Sequence, residues 1–286
     1  MTDSPHRWHV FSTITILVLS VVSSLLGLFR PGHYRGEQVL IPQYYAEDLV
    51  ILVVAVPVLA VALWYAMDGS PPGRLVWLGA LAYMTYMWST TAVQVAFNEF
   101  FLGYVALFAL SLFTLVGGLV TTDATSLQRA LEGRISRGLY SAILLFIAVA
   151  LAALWLSDLV PPTIQGTTPT IVEEVGEQVT VSHVLDLGVV VPSLVIASGW
   201  LWQGRDWGYV CAGVLLVLGA LLAPTLTAIT VVQVAGDLLT VPGYVIVLTF
   251  VPSLVALVLA ATYVRALAGG PRPATGEAGQ SNRPFR

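Results

Sequence analysis

Lysine is absent from this chain; all 12 basic residues are arginine. That excludes a lysine Schiff base and a Walker-type phosphate lysine. One cysteine, Cys211, excludes a disulfide framework and any cysteine-ligated zinc or iron–sulfur centre. Charge is scarce as well. Only 10% of residues are charged, where a soluble domain carries about 25%. A soluble globular protein, a disordered chain and a nucleic-acid binder are all excluded on that ground. The Ser-His-Asp arrangement, the DxxxD pair and the glycine-rich phosphate loop are missing too, so the sequence leans away from an enzyme.

What is there is apolar. Hydrophobic residues make up 57% of the 286, and mean hydropathy is +0.85. A membrane-spanning helix needs about 20 mostly apolar residues. Eight such runs lie near 9–29, 48–67, 75–97, 101–121, 138–160, 184–202, 207–235 and 242–267. The expectation is an all-α polytopic membrane protein with eight transmembrane helices. Asp68 to Arg74, Asn98-Glu99, Pro161-Pro162 and Gly236-Asp237 separate runs, because proline and glycine interrupt helices. The first run is too long for a signal-peptide core and reads as a retained helix.

Arginine sets the orientation. With the N-terminus inside, ten of the 12 arginines are cytoplasmic and only Arg30 and Arg35 are outside. Both termini are then cytoplasmic in a cell membrane, and the lipid bilayer is the first partner. Acids dominate the outer segments, a charge pattern that attracts cations. The loop 122–137 reads as a surface helix capped by Asp123 or Thr125. The tail 271–286 reads as disordered.

Short motifs recur in order. Gly36-Glu37-Gln38-Val39 returns as Gly176-Glu177-Gln178-Val179, and Asp48-Leu49 as Asp186-Leu187. Leu78-Gly79-Ala80-Leu81 returns as Leu218-Gly219-Ala220-Leu221. Gln94-Val95-Ala96 and Gly103-Tyr104 return as Gln233-Val234-Ala235 and Gly243-Tyr244. The offsets predict two tandem parallel four-helix repeats, 1–137 and 138–270, about an axis along the membrane normal.

The polar residues held within the motifs are the candidate ligand-binding set. Asp48 and Asp186 sit at the outer starts of helices 2 and 6, as helix N-caps or as ion-binding carboxylates. Met87, Thr91, Gln94 and Asn98 share one face by helical spacing, as do Thr227, Thr230, Gln233 and Asp237. The stripes lead to Glu99 and Asp237. Such stripes serve as interhelical hydrogen-bond glue or line a route. His33 and His183 read as loop histidines; joined to the outer acids they would be metal ligands, although no motif spacing supports a metal or any other cofactor. Residues 161–183 form the longest outer loop, with alternation suggesting a β-hairpin and a possible protein partner. Trp64, Trp77, Trp155, Trp200, Trp202 and Trp207 fall at helix ends, as in an interfacial belt.

Asp48-Leu49 through Val56-Pro57, Val76 to Leu81, Phe97 to Phe101 with Tyr104 to Phe108, and Leu185-Asp186-Leu187 with Val191-Pro192 resemble a group of uncharacterised prokaryotic eight-helix membrane proteins. The resemblance implies the fold and supplies no activity and no site residues. The functional expectation is a small transporter or channel-like protein for cations or protons. The alternative is a non-transporting scaffold or sensory subunit that meets a partner at its outer face.

Overall fold

The computed structural model describes residues 5–236 and 243–269, apart from four side chains between 244 and 249. It is all-α, with no strand among the described residues. Chain order is α1 (Arg7–Phe29), α2 (Ile41–Val50), α3 (Val56–Met67), α4 (Pro71–Gln94), α5 (Phe101–Val120) and α6 (Ala124–Leu131). Then follow α7 (Arg137–Gln165), α8 (Thr170–Val175), α9 (Thr180–Leu185), α10 (Val191–Trp202), α11 (Asp206–Ala235) and α12 (Gly243–Ala268). Two π-helical segments, Ile51–Ala55 and Asp186–Val190, join α2 to α3 and α9 to α10 into continuous rods.

Seven of the rods are long and apolar enough to cross a membrane. The long helix outside that set is α4, and it is the most enclosed. Trp77, Tyr83 and Trp88 on it are fully buried, because α3, α5, α11 and α12 surround it. Its aromatic, Thr and Met content suits packing against protein rather than lipid. Ser70 caps its start by accepting from Gly73 N, with Pro71 in the first turn. Arg74, 3% exposed, ties this end to α5: it donates to Gly118 O at 2.9 Å and to Thr121 Oγ1 at 2.8 Å. Its guanidinium lies 5.2 Å over the Trp77 ring.

α1 touches α2, α3 and α5, while α4 packs between α3 and α5. α7 touches α10 and α12, while α11 packs between α10 and α12. The two sets meet chiefly through α4 against α11, with α11 also on α2 and α4 also on α9. Gly79 makes the α4–α11 approach close, since a Cβ there would run into Val217.

Several sequence expectations need correction. The second helix starts at Ile41 rather than 48, so Asp48 caps nothing; it lies inside the rod, three residues before the π segment. Asp186 opens the other π segment and caps nothing either. α7 runs through Pro161-Pro162 to Gln165. The prolines fall near its end, and Gly166 at φ +69° closes the helix. The hairpin at 170–181 is absent: Val172 and Val175 are buried together at helical spacing in α8, and Gly176 at φ +97° breaks the chain before α9. Trp77 is core, not belt. The capped surface helix is observed: Asp123 accepts from Ser126 N at 3.0 Å, and Leu127 and Leu131 are buried.

Candidate functional site

A cavity of about 690 Å³ lies between the helices before residue 137 and those after it. α2 contributes Gln43 and Glu47 because its helix turns both to one side at i, i+4 spacing; Gln43 Nε2 donates to Glu47 Oε1 at 2.8 Å. α4 contributes Tyr86, Met87, Thr90 and Gln94. α7 contributes Trp155 and Asp158 near one end and Leu144, Ile147 and Leu151 further along. α11 and α12 complete the wall with Leu215, Leu218, Leu222, Ile229, Gln233 and Ala256.

The cavity is polarised. Its acids are Glu47, Asp158, Glu174 and Asp186, and no Arg, Lys or His lines it among the described residues. Asp186 is 7% exposed and accepts twice, from Trp155 Nε1 at 2.7 Å and from the Tyr86 hydroxyl at 3.0 Å. One donor comes from before residue 137 and the other from after it, so this carboxylate joins the two sides. Charge-assisted bonds of this kind are the strong ones. Most of the rest of the wall is leucine, isoleucine and valine, with Thr90, Gln94, Thr225 and Gln233 among them. Along α11 it runs from Leu215 to Gln233, about 27 Å at 1.5 Å per residue.

The sequence-derived residues scatter over three places. Gln94, Gln233 and Asp186 line the cavity. Thr91 and Thr230 do not: their hydroxyls donate back to Met87 O at 2.9 Å and Leu226 O at 2.8 Å, inside their own helices. Thr90 takes the lining position instead. The first stripe is broken because α4 ends at Gln94 and Asn98 lies in the following loop. There Asn98 Nδ2 donates to His33 O and to Tyr104 Oη, both at 3.2 Å. Glu99 is exposed and pairs with Arg30 and Arg35 at 3.5 Å each. Its own backbone N–H and then Arg30 hold its carboxyl below the usual range. Asp237 lies outside the described residues.

Asp48 belongs to a second cluster and does not line the cavity. It is 3% exposed and its Oδ2 accepts from the Tyr34 hydroxyl at 2.5 Å. Gly27 of α1 faces it, and a Cβ at that glycine would overlap the carboxylate. Burial, with Asp48 the next cause, pushes the Tyr34 phenol up. His33 Nε2 lies 2.9 Å from Tyr104 Oη. Both histidines expected in loops are buried. His183 belongs to α9, its ring 4.2 Å from that of Trp155. No group of three or more His, Cys, Asp or Glu able to hold a metal forms among the described residues. Sequence reasoning missed Glu47, Tyr86 and Asp158, and gave Trp155 a different role. The i, i+4 pair Gln43/Glu47, just ahead of the apolar run at 48–67, was the available signal.

Burial, then Arg30, lowers the pKa of His33, with Arg35 adding to this and Glu99 opposing it. The folded protein therefore holds this ring neutral where the denatured chain, near 6.5, takes up a proton. Stability is unaffected by His33 well above that pH and falls as the pH drops through it. Thermal midpoints taken between about pH 7.5 and about pH 5.5 are expected to slope downward, and His33→Gln to flatten that slope. An identical slope in the variant would place the titrating group elsewhere.

No family model, curated protein or solved structure matches this chain.

Proposed function

We propose that this is a multi-pass membrane protein of two tandem four-helix halves, carrying organic cations through the cavity between them. Exposed apolar side chains on the outer helix faces, Phe11, Phe113, Val120, Phe146 and Ile164 among them, support insertion; a water-soluble monomer rarely exposes so much. Orientation by arginine puts the acid-lined end of the cavity outside. The matching neighbourhoods of α1–α5 and α7–α12 support the repeat, as does the reciprocal packing of α11 on α2 and α4 on α9. Within this reading the two π segments, each followed by Val-Pro, are equivalent. So are Gly73 and Gly208, each pressed against the backbone of the preceding helix. These landmarks pair Asp48 with His183 rather than with Asp186.

The observation that carries the function is the lining: four carboxylates and, among the described residues, no Arg or Lys, above a long and mostly apolar wall, with His183 behind it at 3.6 Å from Asp158. Carboxylates at membrane depth are costly and are kept for ion or substrate handling. A small hydrated metal ion has no use for the leucine wall, whereas an organic cation fills it and sets its charge among Glu47, Asp186 and the Trp155 face.

Tetraphenylphosphonium is the probe, with tetraphenylborate as its anionic counterpart of similar shape. The cation is expected to raise the thermal midpoint of the purified protein and to accumulate in proteoliposomes, and the anion to do neither. Glu47→Gln is expected to weaken cation binding about tenfold, a loss of about 1.4 kcal/mol. Equal effects of cation and anion, or no effect of either, would count against the proposal.

A further inference from the structure

A second polar feature runs the length of the first half, apart from the cavity. The buried residues of α1 are His9, Ser12, Thr13, Ile16, Ser20, Ser23, Ser24 and Gly27, so the inward face of an apolar helix is almost wholly polar. On α5 the buried residues are Tyr104, Leu107, Ser111, Thr114 and Gly118, three of the five bearing hydroxyls. The two helices pack antiparallel, since Gly117 of α5 lies against His9 and Tyr104 lies beside Ser23. Thr114 and Ser111 therefore fall at successive turns beyond His9, and Ser20 and Ser24 continue the series. It ends where Tyr34 donates to Asp48, with Tyr104 and His33 beyond.

Thr13 bonds back to His9 O at 2.7 Å, as buried threonines in helices ordinarily do, but several of its neighbours do not. The hydroxyls of Ser20, Ser111 and Thr114 and both ring nitrogens of His9 are fully buried and have no protein partner. Ser23 and Ser24 face Tyr104 and Asp48 without a well-formed bond. Buried polar groups are almost always hydrogen-bonded, and ordered water is the usual partner where protein supplies none. So many unpaired hydroxyls along one seam have no role as interhelical glue, because glue requires the bonds. From His9 to Gly27, the level of Asp48, the seam covers about 27 Å at 1.5 Å per residue. The hydrocarbon core it would cross is about 30 Å thick.

We infer that the seam between α1 and α5 is a hydrated proton path, running from His9 along the serine and threonine hydroxyls to the Asp48–Tyr34–His33 cluster. Hydroxyls and waters one helical turn apart pass a proton by donating one and accepting one. Asp48 holds the proton in transit and returns it, so no bond other than O–H or N–H forms or breaks. Arg74 and Trp77 stand at the His9 end, where Trp77 Nε1 donates to Thr13 Oγ1 at 3.2 Å. At the other end Arg30, Arg35, Glu47 and Glu99 are the nearby charges. The path depends on the transmembrane reading and not on the cavity's cargo.

The test is potential-driven proton uptake by vesicles containing the full chain, read with an internal pH dye and a valinomycin potassium potential. Uptake is expected to exceed that of protein-free vesicles. Asp48→Asn and the double variant Ser20→Ala with Ser111→Ala are each expected to lower it about tenfold or more. The serine pair tests the path without touching the carboxylate, and its thermal midpoint is expected to stay near that of the parent. Uptake no greater than in empty vesicles, or unchanged in the folded serine double variant, would overturn the inference. Tetraphenylphosphonium binding, read separately, stands or falls on its own.

Discussion

Gly79→Leu is expected to separate the two halves of the molecule. Gly79 sits on α4 where it meets α11; an added Cβ overlaps the Val217 side chain, and the next neighbour is the Val214 carbonyl, 3.1 Å away. Backbone cannot step aside as a flexible side chain can. Overpacking a close seam costs typically 1–3 kcal/mol, and a leucine aimed at backbone belongs at or above about 3 kcal/mol. The expected result in detergent is a marked fall of the thermal midpoint, with Gly79→Ala falling less. Combining Gly79→Ala with Val217→Gly removes the overlapping atoms and is expected to recover most of the loss. A tolerated Gly79→Leu would mean that α4 and α11 do not approach as described.

The second large effect concerns Asp186. Tyr86→Phe with Trp155→Phe removes both of its hydrogen-bond donors while nearly preserving shape. Each bond to a charged group contributes about 1.5–3 kcal/mol. The pair shares one acceptor, so the double loss is expected to be non-additive, about 3–4 kcal/mol in all. The informative variant is the triple, with Asp186→Leu added. A buried acceptor without donors is worse than no acceptor, so the triple is expected to be more stable than the double. Organic-cation binding should be absent from it nonetheless. If the triple were less stable than the double, Asp186 would hold the halves by something other than these two bonds.

Much of the fold was legible, because apolar runs and their proline, glycine and Asn-Glu breaks are local signals. The termini of α4, α5 and α11 fell within a few residues of their sequence-derived bounds. Helix starts at Ile41 and Thr180 were not legible, since each helix opens with mostly polar residues, Gln43 to Asp48 and Thr180 to His183, that fold as helix once packed. The short motifs suggested pairing Asp48 with Asp186. Leu-Gly-Ala-Leu and Asp-Leu recur cheaply in an apolar chain, whereas a π segment followed by Val-Pro leaves no sequence mark except its proline. Gln94 and Gln233 line the cavity. Thr91 and Thr230 do not, because a threonine in a helix satisfies itself on the preceding turn. The seam on α1 escaped notice although His9, Thr13, Ser20, Ser24 and Gly27 follow a helical period; high mean apolarity hid a polar stripe.

The π segments have a mechanical consequence. Each packs about one residue more into its turn than an α-helix holds, so the register of side chains before it is offset from that after it. Moving that offset by one turn would rotate the intervening residues by about 100° while both ends stay anchored. Glu47 faces the cavity and Asp48 faces the seam, one residue apart and just before such a segment. The geometry is that of a short screw: a turn of one residue's worth would carry one of these carboxylates towards the direction its neighbour now faces, with no rigid-body swing of the helices around it.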